Sequence, residues 1–173
     1  HEVIQLSIQI AEQTHGAYDP TSGPLIDLWK SARQEGEIPT VEQIESTLRK
    51  CGYQHLLLDE STKTLSYGVD GLELNLGGIG KGYAIDCLGH QLKTRSQTNW
   101  LMHGGKSSLF AAGQHHQSGG WPVGVRNPLF PNERLATLML RNQGMSTSGA
   151  GIQFFRHQGK RYGHLLDPRT GLP

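Results

Sequence analysis

The sequence predicts an α+β protein, a single domain over residues 1–173 built mainly of antiparallel sheet with a few packed helices. A chain of 173 residues is the size of one domain with a real core. Helical patterns occur in three segments of the first 93 residues, and the remainder reads as short strands. Strands grouped away from helices indicate α+β rather than a doubly wound parallel sheet. Glycine supplies 23 of the 173 residues and clusters at 77–82, 104–105, 119–120 and 149–151. That is roughly twice its usual ~7% share, and the clustering marks local loops rather than a collagen repeat or a linker.

Taken in order, Glu2–Gln13 is rich in helix formers, and Thr14-His15-Gly16 supplies a stop. Ala17–Pro24 reads as a turn-rich loop, because Pro20 and Pro24 restrict the residues before them to extended backbone. The next helix begins at Thr40. Thr40-Val41-Glu42-Gln43 has the capping-box pattern, Val41, Ile44 and Leu48 share one face, and Gly52 ends it. His55–Asp59 and Lys63–Tyr67 flank Glu60-Ser61-Thr62 as a hairpin. Leu72–Leu76 alternates with its leucines inward, as a strand running into Gly77-Gly78-Ile79-Gly80-Lys81-Gly82. Tyr83–Lys93 then reads as a helix burying Ala84, Leu88 and Leu92. Further strands are expected at Trp100–His103, Leu109–Ala112, Trp121–Arg126, Leu135–Leu140, Ile152–Arg156 and Arg161–Leu166.

The net charge of +1 comes from 16 basic and 15 acidic residues, well mixed and without a basic stripe, which argues against nucleic acid as a partner. No stretch approaches the ~20 apolar residues of a membrane span. Membrane attachment is therefore expected only through an anchor outside these residues. Cys51 and Cys87 form no CxxC pair and read either as buried thiols or as one disulfide, so they do not fix the compartment. The chain opens at His1 without Met and stops at Pro173 after a turn, so both ends read as cut.

Three segments could carry chemistry. The first is the strand, glycine turn and helix from Leu72 to Lys93. Glycine amides approach an anion closely, a helix start adds a positive dipole end, and Lys81 adds a full charge there. Neither a Walker A loop nor a dinucleotide fingerprint fits, since Asn75, Gly82 and Tyr83 occupy positions those motifs assign otherwise. A phosphate site and a plain tight connection both remain open. The second is Gln143-Gly144-Met145-Ser146-Thr147-Ser148-Gly149, either a set of hydroxyl donors for phosphate or a solvated Ser/Gly loop. The third is His164-Leu165-Leu166-Asp167-Pro168-Arg169-Thr170-Gly171, whose Asp, Pro and Gly suit a turn. His164, on the strand entering that turn, reads as a general acid/base or as a structural residue. His115-His116 reads as solvated, being poor spacing for zinc.

Read in order, these pieces resemble the ApbE family of flavin transferases. The matching residues are Gly16-Ala17-Tyr18-Asp19-Pro20-Thr21-Ser22-Gly23-Pro24-Leu25 with Leu28-Trp29, then Leu74-Asn75-Leu76-Gly77-Gly78-Ile79-Gly80-Lys81-Gly82-Tyr83-Ala84-Ile85-Asp86. Gly104-Gly105, Trp121–Val125, Ser146–Gly149 and His164–Pro173 follow. The resemblance implies an α+β fold that takes FAD, with Mg²⁺ near its pyrophosphate. It implies transfer of FMN from FAD to a threonine hydroxyl of an acceptor flavoprotein, with release of AMP. By the motifs, Ala17, Tyr18, Asp19 and Asn75 would lie at the flavin nucleotide, and Gly78 would offer a backbone carbonyl to the metal. Lys81 would lie against the phosphates, Thr147 and Ser148 would line the pocket, and His164 with Leu165 would sit beside the isoalloxazine or the reacting phosphate. The catalytic roles fall to His164 and Lys81. The remaining metal ligands are expected beyond Pro173, and a periplasmic or cell-envelope location is expected.

Departures from the family pattern leave two other readings open. Asn75 replaces an expected Asp, Lys106 an acidic residue, and Ala150 another. A non-catalytic FAD-binding protein, or an FAD pyrophosphatase yielding FMN and AMP, would also suit this pattern.

Overall fold

The computed structural model describes residues 1–105, 107–130, 132–149 and 153–173. Lys106, Ala150 and Ile152, which entered the sequence reading, lie outside the described residues. The chain divides into two compact units, His1–Ile79 with Gly149–Pro173, and Gly80–Ser148.

In the first unit, Glu2–Gln13 forms the expected helix, α1, with Ser7 and Ala11 fully buried. Ser7 tolerates burial because its hydroxyl donates to the Val3 carbonyl at 2.7 Å. A helix absent from the sequence expectations follows: Gly23–Glu35, α2. The turn-rich loop ends at Ser22, and Pro24 sits in the first turn of α2, where its missing N–H costs nothing. Leu25, Trp29 and Ala32 bury one face of α2, and Gly36 closes it in the left-handed conformation. Val41–Leu48, α3, carries the expected capping box, with the Thr40 hydroxyl accepting from the Gln43 amide at 3.2 Å and Gln43 Oε1 accepting from the Thr40 amide at 2.8 Å. It stops at Leu48, earlier than the Gly52 boundary expected.

The hairpin is as expected, β1 (Leu56–Asp59) pairing antiparallel with β2 (Thr64–Tyr67). Leu72–Leu76 is not a strand. It keeps the alternation only in that Leu72 is buried, and it makes one parallel bridge, Glu73 to Ser22. The Pro20 carbonyl takes the Asn75 amide at 2.7 Å, so this segment is pinned to the loop ahead of α2 instead of a neighbouring strand.

In the second unit, Gly80–Thr94 forms α4, beginning three residues before the expected Tyr83. Its buried face is Ile85 and Gly89, whereas Ala84 and Leu88 are exposed. The sheet β3 (Trp100–His103), β4 (Ser108–Ala112) and β7 (Gln143–Ser146) is antiparallel throughout. Between β4 and β7 the chain makes a separate hairpin of β5 (Trp121–Arg126) and β6 (Arg134–Leu140). The strand β7 corrects the loop reading of Gln143–Gly149. Its Met145 and Gln143 sit opposite Leu109 and Ala111 of β4, and pairing of backbone needs no β-branched side chain.

The chain then returns to the first unit as the hairpin β8 (Phe154–His157) and β9 (Lys160–Gly163). β9 ends at Gly163, so His164 lies beyond the strand on which it was expected. Phe155 and Tyr162 stack at 5.3 Å between ring centres, and Tyr162 stacks on Trp29 of α2 at 5.7 Å. This apolar cluster, with Ala32, Ile44 and Leu48, is the core of the unit.

Candidate functional site

The loop before α2 is built around a buried carboxylate. Asp19 is 7% exposed, and its Oδ1 accepts from the Thr21 amide at 2.8 Å and the Thr21 hydroxyl at 2.6 Å. Its Oδ2 accepts from the Tyr53 amide at 3.0 Å. The preceding residue, Tyr18, turns the other way. Its ring lies against Gly78, where an added Cβ would stand 3.0 Å from Cε2. Its phenol meets the buried Ser7 hydroxyl at 3.4 Å, and burial, the largest influence, pushes that phenol above its ordinary pKa. Asn75 closes the same region, its Oδ1 accepting from the Gly77 amide at 2.9 Å. The structure therefore brings Tyr18, Asp19, Asn75 and Gly78 together, with Ala17 exposed beside them.

A second group forms in the other unit. Lys81 is exposed in the first turn of α4, at the positive end of the helix dipole. The turn joining β3 and β4 passes beside it: a Cβ on Gly104 would lie 3.3 Å from the Lys81 Cβ. On its far side that turn is tied to the end of β7. The Ser107 carbonyl accepts from the Thr147 amide at 2.8 Å and from the Ser146 hydroxyl at 3.1 Å. Lys81, the Gly104 turn and exposed Thr147 and Ser148 thus make one donor-rich surface, a chemistry suited to phosphate oxygens. Gly80 and Gly82 belong to the helix, so the glycine turn proper is Gly77-Gly78-Ile79.

The last block, His164 to Pro173, is partly an anchor. Asp167 takes the Arg169 guanidinium on both oxygens, Nε at 2.9 Å and NH2 at 2.7 Å, and these bonds hold its pKa at about 2. The Gly171 carbonyl receives the Trp29 indole N–H at 2.7 Å. His164 is exposed, with Nδ1 3.2 Å from the Gln153 carbonyl, a contact that occupies one of its two ring nitrogens. Leu165 beside it is 48% exposed. Arg169 returns to the Tyr18 loop, its Cγ 3.5 Å from where a Gly16 Cβ would stand. Between them lies a polar cavity of about 400 Å³, lined among others by His15, Asp19, Cys51, Tyr53 and Arg169.

Sequence reasoning missed Thr21, although Asp19-Pro20-Thr21 has the spacing by which an Asp side chain caps the amide two residues on. It also missed Ser7 and the Gly52–Tyr53 amides, which no local pattern marks. Of the two readings for the cysteines, both are free: Cys51 is buried, its thiol pushed by burial up to about 11, and Cys87 is exposed. His115 and His116 are exposed and face one another at 4.2 Å. Among the described residues no three His, Cys, Asp or Glu side chains converge as metal ligands. Mg²⁺ asks for about six oxygens in octahedral array, so the Gly78 carbonyl alone does not make that site.

A lysine in the first turn of a helix, with exposed hydroxyl residues just past β7, is the make-up of an anion-binding surface in an α+β protein. A family model, described as the ApbE family, matches residues 1–173, and the chain belongs to that family. It is 31% identical over 177 residues to the FAD:protein FMN transferase of Escherichia coli K12, covering 99% of this chain and 50% of that protein. The Haemophilus influenzae protein of the same name is 30% identical over 179 residues, covering 99% and 51%. The ApbE crystal structure from Thermotoga maritima superposes with a TM-score of 0.85 at 31% identity, covering 99% of this chain and 56% of that one. The chain spans about half the length of these relatives.

Proposed function

We propose that this chain belongs to an FAD:protein FMN transferase, the activity for which its relatives are named. The observation that carries this reading is the contact of the Tyr18 ring with Gly78, next to Asn75 and within the family's own glycine block. That contact sets an aromatic ring against the glycine turn, where a flavin nucleotide would lie. Lys81, with Thr147 and Ser148, supplies positive potential and donors to phosphate oxygens, which is most of what phosphoryl transfer asks of a protein.

In the proposed reaction an acceptor threonine Oγ attacks the phosphorus on the FMN side of FAD. A threonine O–P bond forms, the bridging P–O bond breaks, and AMP leaves with the bonding pair. The hydroxyl proton goes to a base, and His164 is the candidate, exposed and with Nδ1 at the Gln153 carbonyl. The proposed enzyme requires Mg²⁺ and works at the cell envelope. Among the described residues no three His, Cys, Asp or Glu side chains converge to hold that metal.

A non-catalytic FAD-binding role is the second reading, favoured by the neutral Asn75 side chain, whose Oδ1 takes the Gly77 amide. Nucleotide analysis separates the readings. The complete protein, given FAD, Mg²⁺ and a threonine-bearing acceptor, should release AMP only when acceptor is present. Bound FAD with no AMP under any condition supports the second reading. AMP released equally without acceptor means FAD hydrolysis.

A further inference from the structure

The Tyr18 phenol makes one long bond, 3.4 Å to Ser7, and that bond does not fix the backbone carrying the ring. The Thr14 hydroxyl accepts the Tyr18 amide at 3.1 Å, and the chain is held again from one residue later. Thr21 is fully buried, and its hydroxyl is used in both directions, donating to Asp19 Oδ1 at 2.6 Å and accepting from the Gly52 amide at 2.7 Å. Asp19 Oδ2 takes the neighbouring Tyr53 amide at 3.0 Å. Between these two residues the Pro20 carbonyl holds the Asn75 amide at 2.7 Å. One short loop is thus clamped on one side to residues 52–53 and on the other to the strand-like segment that leads into Gly78. A carboxylate buried this deeply with three donors on it is oriented by the protein and has little left to offer a ligand.

We propose that Thr21 and the Asp19 carboxylate are positioning residues of the candidate flavin site: they hold Tyr18 against Gly78, and neither side chain touches the ligand. This rests on the flavin-nucleotide reading above and replaces direct contact by the Asp19 side chain within it.

Quenching of flavin fluorescence in the complete protein, well below its melting temperature, measures FAD affinity directly. Thr21→Val and Asp19→Asn should each weaken FAD binding about tenfold, roughly the effect of one lost buried hydrogen bond. Thr21→Ser, which keeps the hydroxyl, should bind as the parent does. The double variant Asp19→Asn with Thr21→Val should be no weaker than either single one, because the pair acts as a unit. Weakened binding in Asp19→Asn with none in Thr21→Val means that the carboxylate contacts FAD, and overturns the proposal. Additive losses overturn it too. A parent protein that binds no FAD sinks the flavin reading itself, an outcome distinct from both. Should a variant fail to fold, a crystal structure of the unmodified protein with FAD decides. The Asp19 and Thr21 bonds should persist with no ligand atom within about 3.5 Å of either side chain's oxygens, and a ligand atom closer than that contradicts the proposal.

Discussion

Gly171 illustrates how much one residue carries. Its φ of +71° lies in the left-handed region, and an added Cβ would stand 2.6 Å from Ile44 Cγ2 and 3.3 Å from Leu25 Cδ2. Its carbonyl also takes the buried Trp29 indole. Gly171→Ala therefore combines backbone strain with overpacking and should destabilise the protein by roughly 2–4 kcal/mol, read from urea unfolding. Cys51 gives a pH signature. Its pKa rises from 9.0 to about 11, mainly through burial. The unfolded chain loses that proton first, so the contribution is present below pH 9 and is lost as pH rises toward 11. Solvent screening keeps the difference below roughly 2 kcal/mol. Unfolding curves of the parent and of Cys51→Ala should diverge across that window, and thiol reagents should label the exposed Cys87 before Cys51. At this scale the sequence exposed the motif residues but not their orientation. Asp19 and Thr21 stood in a conspicuous loop, yet the amides that hold them, at Tyr53 and Gly52, come from more than thirty positions away, and only the fold brings them near.

Elements were legible where the local signal was self-contained. The capping box at Thr40 needs only four consecutive residues, and α3 starts where it says. Thr40→Ala should cost about 1 kcal/mol and Thr40→Ser much less, a comparison that thermal unfolding of the two variants makes. The helix α2 was hidden because Pro24 reads as a breaker, although at the first helical turn it is a starter, and Leu25, Trp29 and Ala32 keep helical spacing behind it. The misjudged face of α4 has another cause. Ala84, Leu88, Leu92 and Ile85 share one stripe of about 100°, but the buried pair sits at the Ile85 edge of it and beyond, where Gly89 has no side chain to signal burial. Contact with the β3–β4 sheet chooses Ile85 and Gly89, the latter letting Trp100 approach closely. For Leu72–Leu76 the alternation was present but the partner strand was not, and its hydrogen bonds go to the Tyr18 loop.

For the molecule as a whole, the α+β class followed from the grouping of helices and strands, and the family from the order of several short blocks none of which is decisive alone. Physics explains why those blocks travel together. The Tyr18 loop, the glycine turn and the Asp167–Gly171 anchor all meet the first unit's core or one another, while Lys81 and Thr147 share the Gly104 turn in the second. The proposed reaction moves FMN from FAD to a threonine hydroxyl of an acceptor. Intact-mass spectrometry of an acceptor flavoprotein tests it most directly, after incubation of that acceptor with the complete protein, FAD and Mg²⁺. The expected result is a gain equal to one covalently bound FMN less water, abolished when the acceptor threonine is replaced by valine and sharply reduced by Lys81→Ala. An acceptor of unchanged mass, with FAD bound to the complete protein throughout, would contradict it.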